Sequence, residues 1–276
     1  MRAEDAEMVA SLCAARAGLH VDPDKTYLLE SRLGPVARRE GFGSVDDMLS
    51  ALRSRRDERL AWAVVESMAA RESWFFREKD AIEAFRTDVL PGLARAKDGE
   101  PVRVWSAACG CGQEIYSLAM VVEDERGALP PGARVELFAS DLSERALEKA
   151  QSGLYTQFEI QRGLPIRQLV RHFEKSDEMW ALSPRIRQTV RWRRINLVSD
   201  QAAAARFDVI FCRHLLGQLT AQARPRVLQT LARALTPQGV LVLGQGETVQ
   251  ALGEAFQDLP GRPGFYTRNP EFRIAA

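Results

Sequence analysis

Hydrophobic positions fall into two regimes along the chain. Up to about residue 70 they recur at helical spacing. Val9, Leu12, Cys13 and Leu19 lie near one face, and Leu28, Leu29, Leu33 and Val36 continue another. Asp22-Pro23-Asp24 reads as a helix start with proline in the first turn, and Gly41 and Gly43 as its close. Ser44-Val45-Asp46-Asp47 opens a further helix running towards Arg59, and Leu60 to Met68 forms another. No alternating pattern interrupts this stretch, so residues 1–70 are predicted to be a small all-helical domain.

From Pro101 onward the pattern changes. Val102 to Ser106 is a β-leaning run that ends in Gly110 and Gly112, with helical spacing from Glu114 to about Glu125. Val135 to Ser140 is a second such run, ending in Asp141, followed by a helical stretch from Ser143 to Ser152 that stops at Gly153. Phe207 to Cys212 is a third, Pro225 to Ala234 is helical, and Gly239 to Leu243 is a further strand ending in Gly244. Strands alternating with helices predict a parallel sheet with right-handed crossovers over residues 101–276, reached through an interdomain segment and helix at 71–100. Trp180, Leu182, Ile186, Val190, Trp192 and Ile195 alternate, which predicts a small antiparallel β insertion at about 179–196. Phe265-Tyr266 and Phe272 to Ile274, around Asn269-Pro270, predict a terminal hairpin.

An open parallel sheet binds ligands in the crevice beyond the carboxyl ends of its strands, so the strand-end residues carry the chemistry. After Val104-Trp105-Ser106 the chain enters Ala107-Ala108-Cys109-Gly110-Cys111-Gly112-Gln113-Glu114, where glycines allow positive φ and close backbone approach. The loop has no Lys-Ser/Thr and lacks the full G-x-G-x-x-G spacing, so it is no phosphate-gripping loop. A tight turn alone would also account for it. Asp141 ends the next strand about 30 residues on, placed either to accept bonds from ribose hydroxyls or to cap the following helix. Glycine loop and strand-end acid together point to a nucleoside-type cofactor. In Arg71-Glu72-Ser73-Trp74-Phe75-Phe76-Arg77-Glu78 charged ends flank an aromatic run; the plain expectation is a connecting helix whose aromatics fill a core between domains. Asp208 to Cys212 runs out into Arg213 and His214; the histidine is either a general base or a local hydrogen-bonding residue.

Composition narrows the classes. With a net charge of +1, no global charge steers the 276-residue chain to nucleic acid or a membrane surface. Glu4, Asp5 and Glu7 near the start do not fit a signal peptide, and no apolar run reaches the roughly 20 residues of a membrane span, so the expected compartment is the cytoplasm, without membrane insertion. Cys13, Cys109, Cys111 and Cys212 are too scattered for a disulfide framework. Cys109 and Cys111 form a lone C-x-C, read as small residues in a tight loop rather than a metal site.

Taken in order, these stretches resemble the CheR family of chemotaxis-receptor glutamate methyltransferases. Ser73-Trp74-Phe75-Phe76-Arg77-Glu78 is similar to that family's T-x-F-F-R-D/E segment. Arg103 to Ala119 is similar to its R-x-W-S-A-x-x-S-x-G-E-E-x-Y-S-x-A. Phe138-Ala139-Ser140-Asp141 and Ala150-x-x-Gly153-x-Tyr155 resemble its A-S/T-D and A-x-x-G-x-Y. Phe207-Asp208-x-Ile210-Phe211-Cys212-Arg213 and Leu235-x-Pro237-x-Gly239 continue the likeness over nearly the whole chain.

The resemblance implies an α/β fold: a Rossmann-like methyltransferase domain with a small antiparallel β insertion, preceded by a small all-helical domain. It implies S-adenosyl-L-methionine as cofactor, S-adenosyl-L-homocysteine as product, and the cytoplasmic helical region of methyl-accepting chemotaxis receptors as partner. Ser73 and Arg77 would contact the cofactor from the aromatic segment, Arg77 also being the catalytic residue, with Arg71 and Gly110 in the same set. Glu114 would meet the cofactor's amino-acid end, Asp141 its ribose, and Asn196 and Leu197 its adenine, while Arg213 and His214 would lie beside it. No metal is implied. The N-terminal helices would face the receptor, where Arg38, Arg39, Arg53, Arg55, Arg56 and Arg59 either steer docking or form a solvated face laced with Asp57 and Glu58.

The chain departs from the pattern in places. Arg71 stands for the usual Thr or Asn, His214 for Asn, Gln218 for an aromatic, and Gly244-Gln245-Gly246-Glu247 for G-H-S-E. Some members grip a receptor-tail pentapeptide with a longer glycine-containing loop; Lys175 to Leu182 is short and without glycine, which argues against tail tethering. The His214 and Gln218 changes keep two alternatives open: a catalytically weakened cofactor-binding regulator, and an O-methyltransferase for another substrate.

Overall fold

The computed structural model describes residues 1–55, 57–69, 72–97, 99–199 and 205–272. The chain divides into two compact units, Met1–Ala70 with Leu216–Arg226, and Arg71–Leu215 with Val227–Ala276.

The first unit is helical: α1 (Ala3–Ala17), α2 (Thr26–Arg39), α3 (Val45–Arg55) and α4 (Glu58–Met68). Gly18 ends α1 in the left-handed conformation, where a residue without Cβ meets no penalty. Asp22 forms a turn with Asp24, its carboxylate accepting the Asp24 N–H, so α2 starts at Thr26 rather than at Pro23. Asp57 caps α4 by accepting the Leu60 N–H, which breaks the stretch towards Arg59 into two helices. Val9, Cys13, Leu33, Met48, Leu49, Val64 and Val65 have no solvent exposure and form the core. Leu216–Arg226 joins this unit through main-chain bonds: Thr220 N–H donates to the Gly18 carbonyl and His20 N–H to that of Gln218.

The second unit carries a seven-stranded sheet in the order β6-β2-β1-β7-β8-β10-β9. Its strands are β1 (Val102–Ser106), β2 (Val135–Asp141), β6 (Val190–Arg194), β7 (Phe207–Cys212), β8 (Leu235–Leu243), β9 (Phe256–Asp258) and β10 (Phe265–Arg268). The five from β6 to β8 are parallel, and β10 and β9 close the edge antiparallel. β7 is buried at every position, as expected of a strand covered on both faces. The carboxylate of Asp208 inside it is satisfied by the Arg103 N–H, the Thr236 hydroxyl and the Lys97 ammonium. The unit also contains α5 (Lys79–Ala84), a π-helical turn (Phe85–Val89), α6 (Leu90–Ala96), α7 (Gln113–Glu125), α8 (Glu144–Ser152) and, from Val227 on, α12 (Ala223–Ala234).

Three sequence expectations are corrected. The antiparallel insertion is built from β3 (Leu154–Thr156), β4 (Phe173–Ser176) and β5 (Met179–Leu182), with α9 (Gln157–Gln161) and α10 (Ile166–His172) between β3 and β4. After the short α11 (Pro184–Arg187), β6 is not part of it but pairs parallel with β2. An edge strand with one covered face shows the same alternation wherever its partner lies, so the period could not assign the pairing. The terminal hairpin joins β9 to β10, Phe272 lies beyond it in a turn region, and Arg273 and Ile274 fall outside the described residues. Residues 72–78 form no helix but an irregular turn.

Candidate active site

The glycine loop is tied to both strands that flank β1. Ala107 N–H donates to the Phe211 carbonyl at 2.8 Å and Cys109 N–H to that of Ser140 at 3.0 Å. Gly110, at φ 54°, donates its N–H to Asp141 Oδ2 at 2.8 Å. The other oxygen of Asp141 accepts the Ser143 N–H at 2.9 Å. The cap of α8 is Ser143, whose hydroxyl accepts the Ala146 N–H. Asp141 is therefore not the helix cap; it holds the glycine loop against the carboxyl end of β2. At Gly112 a Cβ would stand 2.8 Å from Ala150 Cβ and 3.2 Å from the Tyr155 hydroxyl, so glycine is demanded there by packing as well as by φ.

A buried charge network occupies the neighbouring strand ends. Glu114, in the first turn of α7, accepts from the Ser106 hydroxyl at 2.7 Å and from Arg213 Nη1 at 3.1 Å. Arg213, with 1% of its side chain exposed, also donates through Nη2 to Glu78 Oε2 and to the Arg77 carbonyl, both at 2.8 Å. A guanidinium this deep is tolerated only when its donors are met by charge, and two carboxylates meet it. Burial works against its charge, yet Glu114 and Glu78 raise its pKa above the ordinary arginine range. Burial likewise opposes ionisation of Glu78, but Arg213 prevails and holds its carboxyl below the usual value.

His214 takes φ 61°, and its Nε2 stands 2.7 Å from Glu78 Oε1. Glu247 accepts from the main-chain N–H groups of His214 and Gly244 at 2.6 and 2.9 Å. A Cβ on Gly244 would meet the imidazole at 2.8 Å, so the ring lies flush on that backbone.

The 72–78 turn approaches this edge of the sheet. Phe75 is fully buried and meets Tyr155 and Phe173 edge-on, with centroids 5.0 and 5.6 Å away. Phe76 N–H donates to the Ser117 hydroxyl at 2.9 Å. Phe76 and Glu78 both have positive φ, a strained path that the surrounding bonds hold in place. Ser73 Cβ lies 3.6 Å from where a Cβ on Gly110 would be, an ordinary contact that sets the 72–78 turn beside the glycine loop. Arg77 donates to the Glu72 carbonyl at 2.9 Å, and its guanidinium carbon lies 4.0 Å from the Trp74 ring centroid. Burial, with Arg213 nearby, lowers the Arg77 pKa.

Of the sequence-predicted residues, Ser73, Arg77, Gly110, Glu114, Asp141, Arg213 and His214 gather at the carboxyl edge of β1, β2 and β7. Asn196 and Leu197 follow β6, whose last residue pairs with Asp141; Ile195 N–H donates to the Asp141 carbonyl. Arg71 lies outside the described residues. Gln218 belongs to the helical unit. Sequence reasoning gave no role to Ser106, Glu78 or Glu247, the acceptors and donors that organise the network. Charged residues directly flanking two site motifs were the available signal.

The chain matches the family models described as the CheR methyltransferase all-alpha domain, over residues 4–66, and the CheR methyltransferase SAM binding domain, over residues 71–265. It belongs to the CheR methyltransferase family. Curated relatives include chemotaxis protein methyltransferase 1 of Pseudomonas aeruginosa, 33% identical and spanning 96% of this chain and 97% of the relative. Chemotaxis protein methyltransferase Cher2 of Pseudomonas putida is 33% identical over 90% and 91% of the two chains. Chemotaxis protein methyltransferase 1 of Vibrio cholerae is 31% identical over 91% of each.

S-adenosylmethionine is accordingly the cofactor of the second unit, and the residues present fit it. Two carboxylates, Glu114 and Asp141, sit at one sheet edge, a donor set whose chemistry suits an ammonium and hydroxyls. Gly110 adds a stretch of backbone without Cβ. Gln113, only 2% exposed at the start of α7, keeps a buried side-chain oxygen without a hydrogen-bond partner among the described residues. Among the described residues no helix is long and apolar enough to cross a membrane.

Proposed function

We propose that this CheR-family chain transfers a methyl group from S-adenosylmethionine to glutamate side-chain carboxylates of chemotaxis receptors, forming glutamate methyl esters for sensory adaptation. The observation that carries the reading is Arg77. It is a cation braced against Trp74 at the edge where Gly110, Glu114 and Asp141 converge, with no carboxylate in ion-pair distance among the described residues. Such a cation suits an anionic acceptor.

When bound, S-adenosylmethionine supplies a sulfonium-activated methyl group. A glutamate carboxylate, with a reference pKa of about 4.3, is ionised at neutral pH and needs no general base. The chain's own task is positioning. Asp141 and Asn196 would hold the ribose and adenine and Glu114 the amino-acid end, with Gly110 and Ser73 lining the approach, while Arg213 and His214 hold Glu78 and the 77–78 backbone. Arg77 aligns the acceptor oxygen, and alignment of reactants is worth several orders of magnitude in rate. This explains why no Ser/His/Asp constellation is needed.

Replacing Arg77 by Ala should reduce methyl transfer by about 100-fold or more, as loss of an oriented charge at a reaction centre does. The fold should survive, because the Arg77 carbonyl that receives Arg213 is main chain. The assay is base-labile methanol release from receptor-containing membranes incubated with labelled S-adenosylmethionine. Undiminished release from the variant would remove Arg77 from the mechanism. Gln218, where the family has an aromatic, favours a second reading as a cofactor-binding regulator; cofactor binding without methanol release from the wild type would support that instead.

A further inference from the structure

Trp74 carries a second guanidinium. The Arg162 carbon lies 4.2 Å from the same ring centroid that Arg77 approaches at 4.0 Å. Arg162 follows α9, at the start of the turn between α9 and α10. Gly163 is why the side chain arrives there. It takes φ 94°, and a Cβ on it would stand 2.2 Å from the Phe75 carbonyl and 3.0 Å from Trp74. Only glycine lets this turn lie on the 74–75 backbone, and that contact presents Arg162 to the indole.

Two guanidiniums on one ring repel each other, and each is drawn to the ring's negative face. Among the described residues neither has a carboxylate in ion-pair distance, in contrast to Arg171 and Arg185 of the same insertion region, which pair with Asp124 and Glu123. Arg162 is exposed while Arg77 is partly buried, so the pair runs from the site outward. Two arginines braced on one ring, neither in an ion pair among the described residues, match two anionic groups on one ligand.

We propose that Arg162 is a substrate-binding residue that takes a second carboxylate of the acidic segment whose reacting glutamate meets Arg77, with Trp74 as the positioning residue for both. This rests on the proposed methyl transfer to glutamate and adds its specificity element.

The test uses the full-length enzyme, labelled S-adenosylmethionine and receptor-containing membranes at varied concentration. Arg162→Ala should raise KM for the membranes by about ten-fold with a much smaller change in kcat, the signature of lost ground-state binding. Arg162→Lys should recover part of that loss, since charge remains and only the planar stacking goes. Trp74→Ala should raise KM and lower kcat together, because both arginines lose their brace. Cofactor affinity, read by calorimetry, should stay within about two-fold in Arg162→Ala, since the residue is assigned to the substrate and not the cofactor. An Arg162→Ala enzyme with wild-type KM overturns the inference while leaving the methyl-transfer reading intact. A wild-type enzyme that releases no methanol overturns both.

Discussion

His214 stands where the family pattern has asparagine, and its surroundings decide its charge. Burial lowers its pKa; Arg77 and Arg213 add to that, while Glu78 and Glu247 oppose it, leaving it below the ordinary 6.5. The neutral ring therefore belongs to the folded state at neutral pH, with Nε2 beside Glu78 Oε1. The unfolded chain takes up the proton first as pH falls, so this contribution to stability is whole above about pH 6.5 and is lost below it. His214→Asn should remove that component. Urea midpoints at pH 7.5 and 5.5 check it: the wild type should lose more between the two than the variant does. Some dependence should remain, because burial also lowers His172. Identical losses in both proteins would mean the imidazole is not held neutral.

Among the elements, the glycine loop depends on Gly112 more than on any sequence spacing. Its φ of 89° and the approach of Ala150 and Tyr155 both exclude a side chain. Gly112→Ala should cost about 1–2 kcal/mol for the left-handed backbone and about 1–3 more for the forced contact. A denaturation midpoint checks the loss, and cofactor affinity should fall with it, because the same loop places Gly110 against Asp141. A variant within about 0.5 kcal/mol of wild type would show that the loop rearranges freely. The strands β1 and β7 were legible as largely apolar runs, since a doubly covered strand needs no alternation. β6 and the 72–78 turn were not: the first shares its alternation with any half-covered strand, and the second bends through positive φ at Phe76 and Glu78, which propensity does not favour.

At the scale of the whole molecule, the arginines of the helical unit are either a docking surface for an acidic partner, as the proposed function would have it, or a solvated helix face. They are not equivalent. Arg53 pairs with Asp5, a carboxylate only 1% exposed that Arg2 also reaches, and Arg59 and Arg39 both pair with Glu40. Arg38 is exposed, with no ion-pair partner among the described residues; Arg56 lies outside them, as does the side chain of Arg55. Arg53→Glu should thus destabilise the helical unit by about 1–3 kcal/mol, since it sets a like charge beside buried Asp5 while Arg2 remains as its partner. Arg38→Glu should leave the melting temperature in place and slow methylation about 2- to 10-fold at low salt, an effect that salt erases. An Arg38→Glu enzyme with wild-type rates at low salt would end the steering idea.

The helical start, the alternation of strands and helices, the glycine loop and the acid at the end of β2 were all present in local order. Spacing, turn residues and strand-end chemistry are properties of neighbours along the chain. Pairing is not. That β6 joins β2, that Leu216–Arg226 belongs with the helices, that Arg213 reaches Glu78 and Glu114, and that Arg162 meets Arg77 across Trp74 each join residues far apart in the chain. Those contacts come from burying apolar surface and satisfying charge in three dimensions, and no local period encodes them.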